Sequence, residues 1–239
     1  MAILVLPFLV YFIWVYNSKE NFFKTLEYVG PPQIQKMLTE DGEMVKDTIP
    51  YTVPEFTFTT QYDTSLSQTD LKGKIYVANF FFTSCPTICP AMNYHVKQVQ
   101  NRFKGYDYFK VVSFSVDPEY DTPKVLRKYA QKMEAIPGLW SFLTGDKETT
   151  YQTAAGYLVN AQEDETAPGG FLHSEYLVLV DWEGRIRSRL DEQGNLKGVY
   201  NGTSLTEINK LKDDIKVLIA EYEKKKSMDE YRASKEERK

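Results

Sequence analysis

Apolar and polar positions repeat with two different periods along the chain, and this pattern predicts strands interleaved with helices. Residues 55–60 alternate apolar and polar side chains with period two and precede the turn-rich stretch 63–74, so we expect a β-hairpin there. Residues 75–82 are nearly all apolar or aromatic, which is typical of a central strand buried on both faces. The folded part of the chain is therefore predicted to begin with β-structure.

The remainder of the chain predicts alternating elements of the same two kinds. Helices are expected at 88–103, 123–133, 147–156 and 205–223, and strands at 109–116, 139–143, 176–181 and 185–190. Strands that alternate with helices indicate parallel βαβ units, and the turn at 182–184 adds an antiparallel hairpin. The predicted fold class is α/β, with a mixed central sheet flanked by helices.

The helix expected at 123–133 has a clear start signal. Thr122 as N-cap and Pro123 at the first helical position are a common way for a helix to begin. We prefer this structural interpretation of the segment over a functional role for Asp117 or Asp121 beside the cysteines.

The first residues form an apolar segment that predicts a membrane anchor. Residues 2–16 carry no charge and end in Trp and Tyr residues, as expected at a membrane interface. No small-residue cleavage site follows, which favours a retained anchor at 1–17 over a cleaved signal peptide. Behind it we expect a juxtamembrane linker at 18–49, a folded domain at 50–223 and a charged tail at 224–239.

Composition and charge narrow the possible classes of function. The 239 residues are 42% hydrophobic with a net charge of −4, which suits a globular domain and leaves no basic surface for nucleic acid. The two cysteines, Cys85 and Cys89, are too few for the disulfide framework of a small secreted protein. We therefore interpret them as a local, functional pair.

The cysteine pair lies in the stretch FFFTSCPTICPAMN, where the central strand ends and the next helix begins. The N-terminus of a helix is expected to lower the pKa of a thiol at this place. In helical geometry the two Cα atoms are about 6 Å apart, within reach of a disulfide, and both sulfurs can bind one soft metal ion. These residues alone leave open a structural disulfide, a redox pair and a metal site.

The two histidines of the chain are the candidates for a further metal ligand. His95 lies six residues after Cys89, about 240° around the helix axis, and is expected to point away from the sulfurs. His173 follows a glycine-containing loop before the strand at 176–181 and can be brought to the same end of the sheet. Met92 is expected to be a core residue. His173 is the better candidate, although a lone histidine is more often structural.

Five stretches of the sequence follow one another in the order seen in a known family. They are VANFFFTSCPTICPAM, VSFSVDPEYDTP, WSFLTG, HSEYLVLVDWEGRIR and VYNGT. Together they resemble the SCO/SenC family, copper-binding assembly factors of respiratory cytochrome oxidases. Over residues 50–220 the resemblance implies a thioredoxin-like fold on an N-terminal membrane anchor. It also implies that Cys85, Cys89 and His173 are the ligands of a copper ion, as Cu(I), Cu(II) or both.

The function implied by the resemblance is that of an extracytoplasmic metallochaperone. Such a protein assists assembly of the CuA centre of cytochrome c oxidase, and its implied partners are oxidase subunit II and another copper chaperone. The absence of a transit peptide favours a single-pass protein of the bacterial inner membrane, with the globular domain in the periplasm.

Three other functions are compatible with the same pair. In the main alternative, Cys85 and Cys89 belong to a thiol-disulfide oxidoreductase that keeps cysteines of the oxidase or of a copper chaperone reduced, without need of His173 as a ligand. A redox or copper sensor lacks support, because the sequence has no separate signalling domain. An inert structural disulfide is disfavoured, since so short a loop removes little entropy from the unfolded chain.

Overall fold

A seven-stranded sheet lies at the centre of the structure, a computed structural model that describes residues 25–38, 44–164 and 166–236. The strands, numbered in chain order, are β1 (Glu27–Tyr28), β2 (Gln33–Leu38), β3 (Met44–Ile49), β4 (Thr57–Thr60), β5 (Ser65–Ser67), β6 (Ile75–Phe81), β7 (Phe109–Ser115), β8 (Trp140–Thr144), β9 (Ala161–Glu163), β10 (Phe171–His173), β11 (Tyr176–Val180), β12 (Arg187–Ser188) and β13 (Tyr200–Asn201). The helices are α1 (Ile88–Phe103), α2 (Pro123–Met133), α3 (Lys147–Gly156) and α4 (Leu205–Glu236), and a short 3-10 helix spans Gln68–Leu71.

The sheet is mixed, and its three central strands are parallel. The order across the sheet is β13, β11, β6, β7, β8, β4, β5. β6 pairs in parallel with β7, and β7 with β8, and the connections between them contain α1 and α2. β11 runs antiparallel to β6, and β4 runs antiparallel to β8. Because β6, β7 and β8 end at one edge, the loops that follow them lie side by side.

The central strand β6 is buried along its whole length and separates two packed layers. On one face, Phe81 contacts Tyr129 of α2, with ring centroids 5.4 Å apart. On the other face, Phe80 stacks on Phe114 at 5.0 Å and meets the edge of Tyr157 at 5.9 Å. Neighbouring strand residues point to opposite faces, so burial of both faces explains the uninterrupted apolar run in the sequence.

Most of the predicted elements are confirmed. The helices at 88–103, 123–133 and 147–156 have the predicted bounds, and the central strand ends at Phe81, one residue early. α2 begins at Pro123 with Thr122 as its N-cap. The hairpin expected after residue 55 is formed by β4 and β5. The mixed α/β sheet flanked by helices is therefore confirmed.

The expected linker at 18–49 contains strands that the sequence pattern did not predict. β1 pairs with β12, and β2 pairs with β3 in a separate hairpin. Leu26 and Val29, which flank β1, are buried in the core. The sequence pattern does not mark these strands, because β1 has only two residues and β2 and β3 lack a clean period-two pattern.

Three further elements differ from the prediction. In place of the strand expected at 185–190, β12 covers only Arg187–Ser188 and pairs with β1. α4 continues to Glu236 through most of the segment expected to be a charged tail. The loop expected before His173 ends in β10, which pairs antiparallel with β9. This last element bears directly on the candidate site.

The expected anchor at 1–17 lies outside the described residues. Within the ranges that the structure describes, no helix combines the length and the apolar character needed to cross a membrane. The anchor therefore stays a prediction from the sequence.

Candidate metal centre

Cys85 and Cys89 lie at the edge of the sheet where β6, β7 and β8 end. Cys85 belongs to the cysteine turn, residues 82–87, and its amide donates to the carbonyl oxygen of Phe82 at 3.3 Å. Cys89 lies in the first turn of α1, which begins at Ile88 after the N-cap Thr87. Cys85 thus lies between the end of β6 and the start of α1, and Cys89 lies on the first helical turn, at the strand-to-helix junction that the sequence predicted.

The two thiols are buried and contact each other. The exposed fraction is 7% for Cys85 and 1% for Cys89, and the two side chains are hydrogen-bonded to each other. This hydrogen bond, together with burial, raises the pKa of Cys89, and a hydrogen bond with the Phe82 backbone opposes the shift. The expected lowering of the pKa by the helix N-terminus was therefore wrong for Cys89. The Cys89 thiol therefore keeps its proton in the reduced pair, and this proton must leave when the sulfur binds a metal ion or forms a disulfide.

A buried carboxylate lies behind the cysteine turn. Asp121, in the loop after β7, is fully buried and accepts hydrogen bonds from the Thr83 amide at 3.0 Å and the Ser115 hydroxyl at 2.6 Å. The Thr83 hydroxyl donates to its other carboxylate oxygen. Burial raises the pKa of Asp121, and these hydrogen bonds oppose that shift. No local sequence signal marks this contact, because Thr83 and Asp121 are 38 positions apart.

The β9–β10 hairpin brings the backbone of His173 to the same edge of the fold. In this hairpin His173 pairs with Ala161. Phe171, two residues before His173, packs on Phe82 with ring centroids 5.1 Å apart. A Cβ atom at Gly169 would lie 2.8 Å from the Phe82 ring and 3.3 Å from Pro86 Cδ, so the hairpin loop packs directly on the cysteine turn.

The contact between His173 and the sulfurs stays a prediction. The side chain of His173 lies outside the described part of the structure. Among the side chains that are described, no three His, Cys, Asp or Glu residues are grouped as metal ligands would be. Of the three predicted ligands, the structure thus brings Cys85 and Cys89 together and places the hairpin of His173 against their turn.

The other two residues weighed as ligands have structural contacts. His95 Nδ1 lies 2.8 Å from the carbonyl oxygen of Gly202, on the side of α1 that faces the loop after β13. Met92 is fully buried, and Asn79 Nδ2 lies 3.9 Å from its sulfur. Both findings agree with the expectation that His95 points away from the sulfurs and that Met92 is core.

A cluster of ion pairs around Lys147 contacts the β9–β10 hairpin at the end of β9. Lys147, the first residue of α3, pairs with Glu163 at the end of β9 and with Glu119 at 3.4 Å. Glu119 belongs to the loop after β7, which also carries Asp117, whose pKa is raised by burial. Lys147 therefore joins the β9–β10 hairpin to the loop that contributes Asp121.

Comparisons with known proteins agree with the fold and with the sequence pattern. The SCO1/SenC family model matches residues 46–204. The SCO1 protein homolog of Bacillus subtilis is 33% identical over 180 residues, which cover 73% of this chain and 86% of the relative.

Solved structures of relatives share the same architecture. A SCO1/SenC family lipoprotein from Bacillus anthracis superposes with a TM-score of 0.62 at 30% identity, covering 71% of this chain and 95% of the relative. ScoI of Bradyrhizobium japonicum, solved with copper bound, superposes with a TM-score of 0.53 at 27% identity, covering 68% and 98% of the two chains. The fold, the order of the motifs and the family match together show that this chain belongs to the SCO1/SenC family.

Proposed function

We propose that this chain is a copper-binding metallochaperone that assists assembly of the CuA centre of cytochrome c oxidase. The carrying observation is the pair of buried, mutually hydrogen-bonded thiols of Cys85 and Cys89, with the hairpin of His173 packed on their turn. Related proteins support this function. The Bradyrhizobium japonicum relative was solved with copper bound, and BsSco, a solved relative that is 31% identical to this chain, is described as a member of the Sco family of cytochrome c oxidase assembly proteins.

The proposed ligands are Cys85, Cys89 and His173. Two thiolates and one imidazole form a soft donor set of three ligands, which suits Cu(I). The two cysteines flank the start of α1, whereas His173 lies on a two-stranded hairpin outside the seven-stranded sheet. Because copper is cargo here, a ligand on a separate small hairpin offers a route of release: the imidazole can leave while the thiolates still hold the ion.

The proposed recipient of copper is oxidase subunit II, reached directly or through another copper chaperone. We place the protein in the bacterial inner membrane, with residues 1–17 as a single-pass anchor and the globular domain in the periplasm. The uncharged, apolar residues 2–16 support the anchor. Attachment to a membrane also fits the relative from Bacillus anthracis, which is described as a lipoprotein.

The test is a Cu(I) titration of the reduced full-length protein in detergent, in competition with a chromogenic Cu(I) chelator. We expect one copper ion per chain. Mutating a residue that only supports a metal ligand already costs roughly 10–100-fold in metal affinity. Replacing either cysteine by serine should therefore weaken Cu(I) binding at least about 100-fold, and His173→Ala should weaken it about tenfold.

The matched control is His95→Ala, which removes the other histidine of the chain and should leave Cu(I) affinity unchanged. Wild-type protein that binds no Cu(I), or a His173→Ala variant that binds it as tightly as the wild type, would refute the assignment.

A second candidate function is that of a thiol-disulfide oxidoreductase. The hydrogen bond between the Cys85 and Cys89 side chains favours it, because a redox pair requires its two sulfurs to be neighbours. A disulfide switch is also described for BsSco. Reduction of an oxidised subunit II peptide that survives in His173→Ala and is lost in either cysteine variant would select this function over copper delivery.

A further inference from the structure

Asp121 is a buried charged group that the proposed copper site does not use as a ligand. It is fully buried, and its carboxylate accepts hydrogen bonds from the amide and hydroxyl of Thr83 and from the hydroxyl of Ser115. Burying a carboxylate is costly unless such hydrogen bonds replace water. Each of its carboxylate oxygens therefore has a protein donor, and two of the three donated hydrogen bonds come from one residue of the cysteine turn.

The position of Thr83 gives these hydrogen bonds their importance. Thr83 lies two residues before Cys85, between the end of β6 and the start of α1. Ser115 is the last residue of the neighbouring strand β7. The Asp121 carboxylate thus fastens the cysteine turn to the edge of the sheet through Thr83 and Ser115.

We infer that Asp121 is a positioning residue for the cysteine pair: by holding Thr83 it fixes the turn in the conformation in which the sulfurs of Cys85 and Cys89 meet. Without the hydrogen bonds between Asp121 and Thr83, the turn samples conformations in which the two sulfurs are apart. Both a disulfide and a shared metal ion require the sulfurs to be together, so loss of Asp121 disfavours both. The copper part of this inference rests on the proposed function, and the disulfide part does not.

The experiment measures the equilibrium between the cysteine pair and a dithiothreitol redox buffer in the metal-free, full-length protein. When the pair is oxidised, Cys85 and Cys89 each lose the thiol hydrogen and an S–S bond forms. The two protons and two electrons reduce the disulfide of oxidised dithiothreitol to its dithiol. Cu(I) affinity of the reduced protein is measured on the same variants.

Asp121→Ala should lower the equilibrium constant for disulfide formation about tenfold, as expected for the loss of hydrogen bonds to a charged group. Asp121→Asn should restore it to within about threefold, because an amide can accept from the Thr83 amide and the Ser115 hydroxyl while donating to the Thr83 hydroxyl. The Cu(I) affinity should follow the same order.

Asp181→Ala is the matched control. Asp181 is also a buried carboxylate with hydrogen bonds to backbone amides and to Arg187, but it follows β11 at the far end of β6 from the cysteines. This variant should lower the free energy of unfolding and leave the dithiothreitol equilibrium unchanged. Equal effects of Asp121→Ala and Asp181→Ala on that equilibrium would overturn the positioning role.

If Asp121→Ala does not fold, Thr83→Val and Thr83→Ser decide the question. Valine lacks the hydroxyl that donates to Asp121 and should shift the equilibrium in the direction expected for Asp121→Ala, whereas serine keeps it and should not. A Thr83→Val protein with the wild-type equilibrium would overturn the inference. Absence of Cu(I) binding by every protein, the wild type included, would overturn the proposed function, and the dithiothreitol equilibrium would still test Asp121.

Discussion

Gly169 lies where the β9–β10 hairpin meets the cysteine turn, and at this position a side chain would disturb the contact between them. Its φ is +86°, in the region that favours glycine, and a Cβ atom would lie 2.8 Å from the Phe82 ring. The next residue, Gly170, has nearly the same φ, +85°, and no atom within 4 Å of its Cβ position. Substitutions at these two glycines therefore distinguish the effect of backbone strain from the effect of contact with the cysteine turn.

We predict that Gly169→Ala weakens Cu(I) binding by roughly tenfold or more, because the hairpin that carries His173 must move off Phe82 and displacing such supporting groups costs about 10–100-fold in metal affinity. Gly170→Ala should lose only stability, about 1–3 kcal/mol from the positive φ. Chelator competition gives the affinity, and denaturant unfolding gives the free energy of unfolding. Equal Cu(I) affinities of the two variants would argue against a role of this contact in placing His173.

Among the elements, β1 is the one that shows where the folded domain begins. Leu26, just before it, is 4% exposed, and its carbonyl oxygen accepts hydrogen bonds from the buried Arg187 side chain. Ile34, in β2, is 70% exposed. Both residues belong to the stretch expected to be a linker, but only Leu26 contributes to the core.

Leu26→Ala should therefore lower the free energy of unfolding by about 2 kcal/mol, from lost apolar burial and the cavity left behind. Ile34→Ala, the control in the same stretch, should change it by less than about 0.5 kcal/mol, because an exposed side chain contributes little. Denaturant unfolding of the two variants measures both. A Leu26→Ala protein as stable as the wild type would mean that this part of the chain behaves as the linker that the sequence predicted.

The N-terminus of α3 predicts a pH dependence. The Asp146 side chain accepts from the Thr149 amide at 2.8 Å, and this hydrogen bond holds the pKa of Asp146 below its ordinary value. A carboxyl whose pKa is lower in the folded state stabilises the fold above its unfolded pKa, and this contribution is lost as the pH falls through the folded pKa. At neutral pH, Asp146→Ala should therefore be less stable than the wild type.

The difference between the wild type and Asp146→Ala should shrink as the pH is lowered from neutral to below the ordinary pKa of an aspartate. Asp146→Asn is the control, since asparagine is a good N-cap that does not titrate in this range. Thermal unfolding followed by circular dichroism over this pH range measures all three proteins. A stability difference between wild type and Asp146→Ala that does not depend on pH would exclude a charge-dependent cap.

Local signals explain which elements the sequence could predict. α2 begins at Pro123 after Thr122, and α3 begins after Asp146, so both starts carry their own capping residues. β6 is marked by its unbroken apolar run. The β9–β10 hairpin and β1 have no such signal, because their strands have three residues or fewer and are set by packing on distant partners.

At the scale of the whole molecule, some residues of the candidate site can be identified from neighbouring sequence, whereas others depend on contacts between distant parts of the chain. Cys85 and Cys89 were found from their spacing at a strand-to-helix junction, and His173 was selected by the resemblance to a family. The sequence around Asp121 predicts only a helix start, whereas the bonds of Asp121 to Thr83 and Ser115 depend on the parallel pairing of β6 with β7. Sequence spacing could identify the cysteine pair but not the groups that hold it in place.

Copper binding should also stabilise the whole fold, because the proposed site joins the cysteine turn, α1 and the β9–β10 hairpin. A ligand that binds only the folded state at 100 times its dissociation constant adds about 2.7 kcal/mol to the free energy of unfolding. For a chain of this size that corresponds to a rise in Tm of roughly 5–10 °C. Binding of Cu(I) to thiols of the unfolded chain reduces the gain.

The His173→Ala variant separates these contributions in a thermal unfolding experiment with and without Cu(I) under reducing conditions. Wild type and His95→Ala should show the full rise in Tm, His173→Ala a smaller one, and Cys85→Ser none. Unfolded chains of the wild type and His173→Ala carry the same two thiols, so the difference between their Tm shifts reports what the hairpin adds to the folded site. Equal shifts in these two proteins would mean that the hairpin packs on the cysteine turn without contributing a ligand from His173.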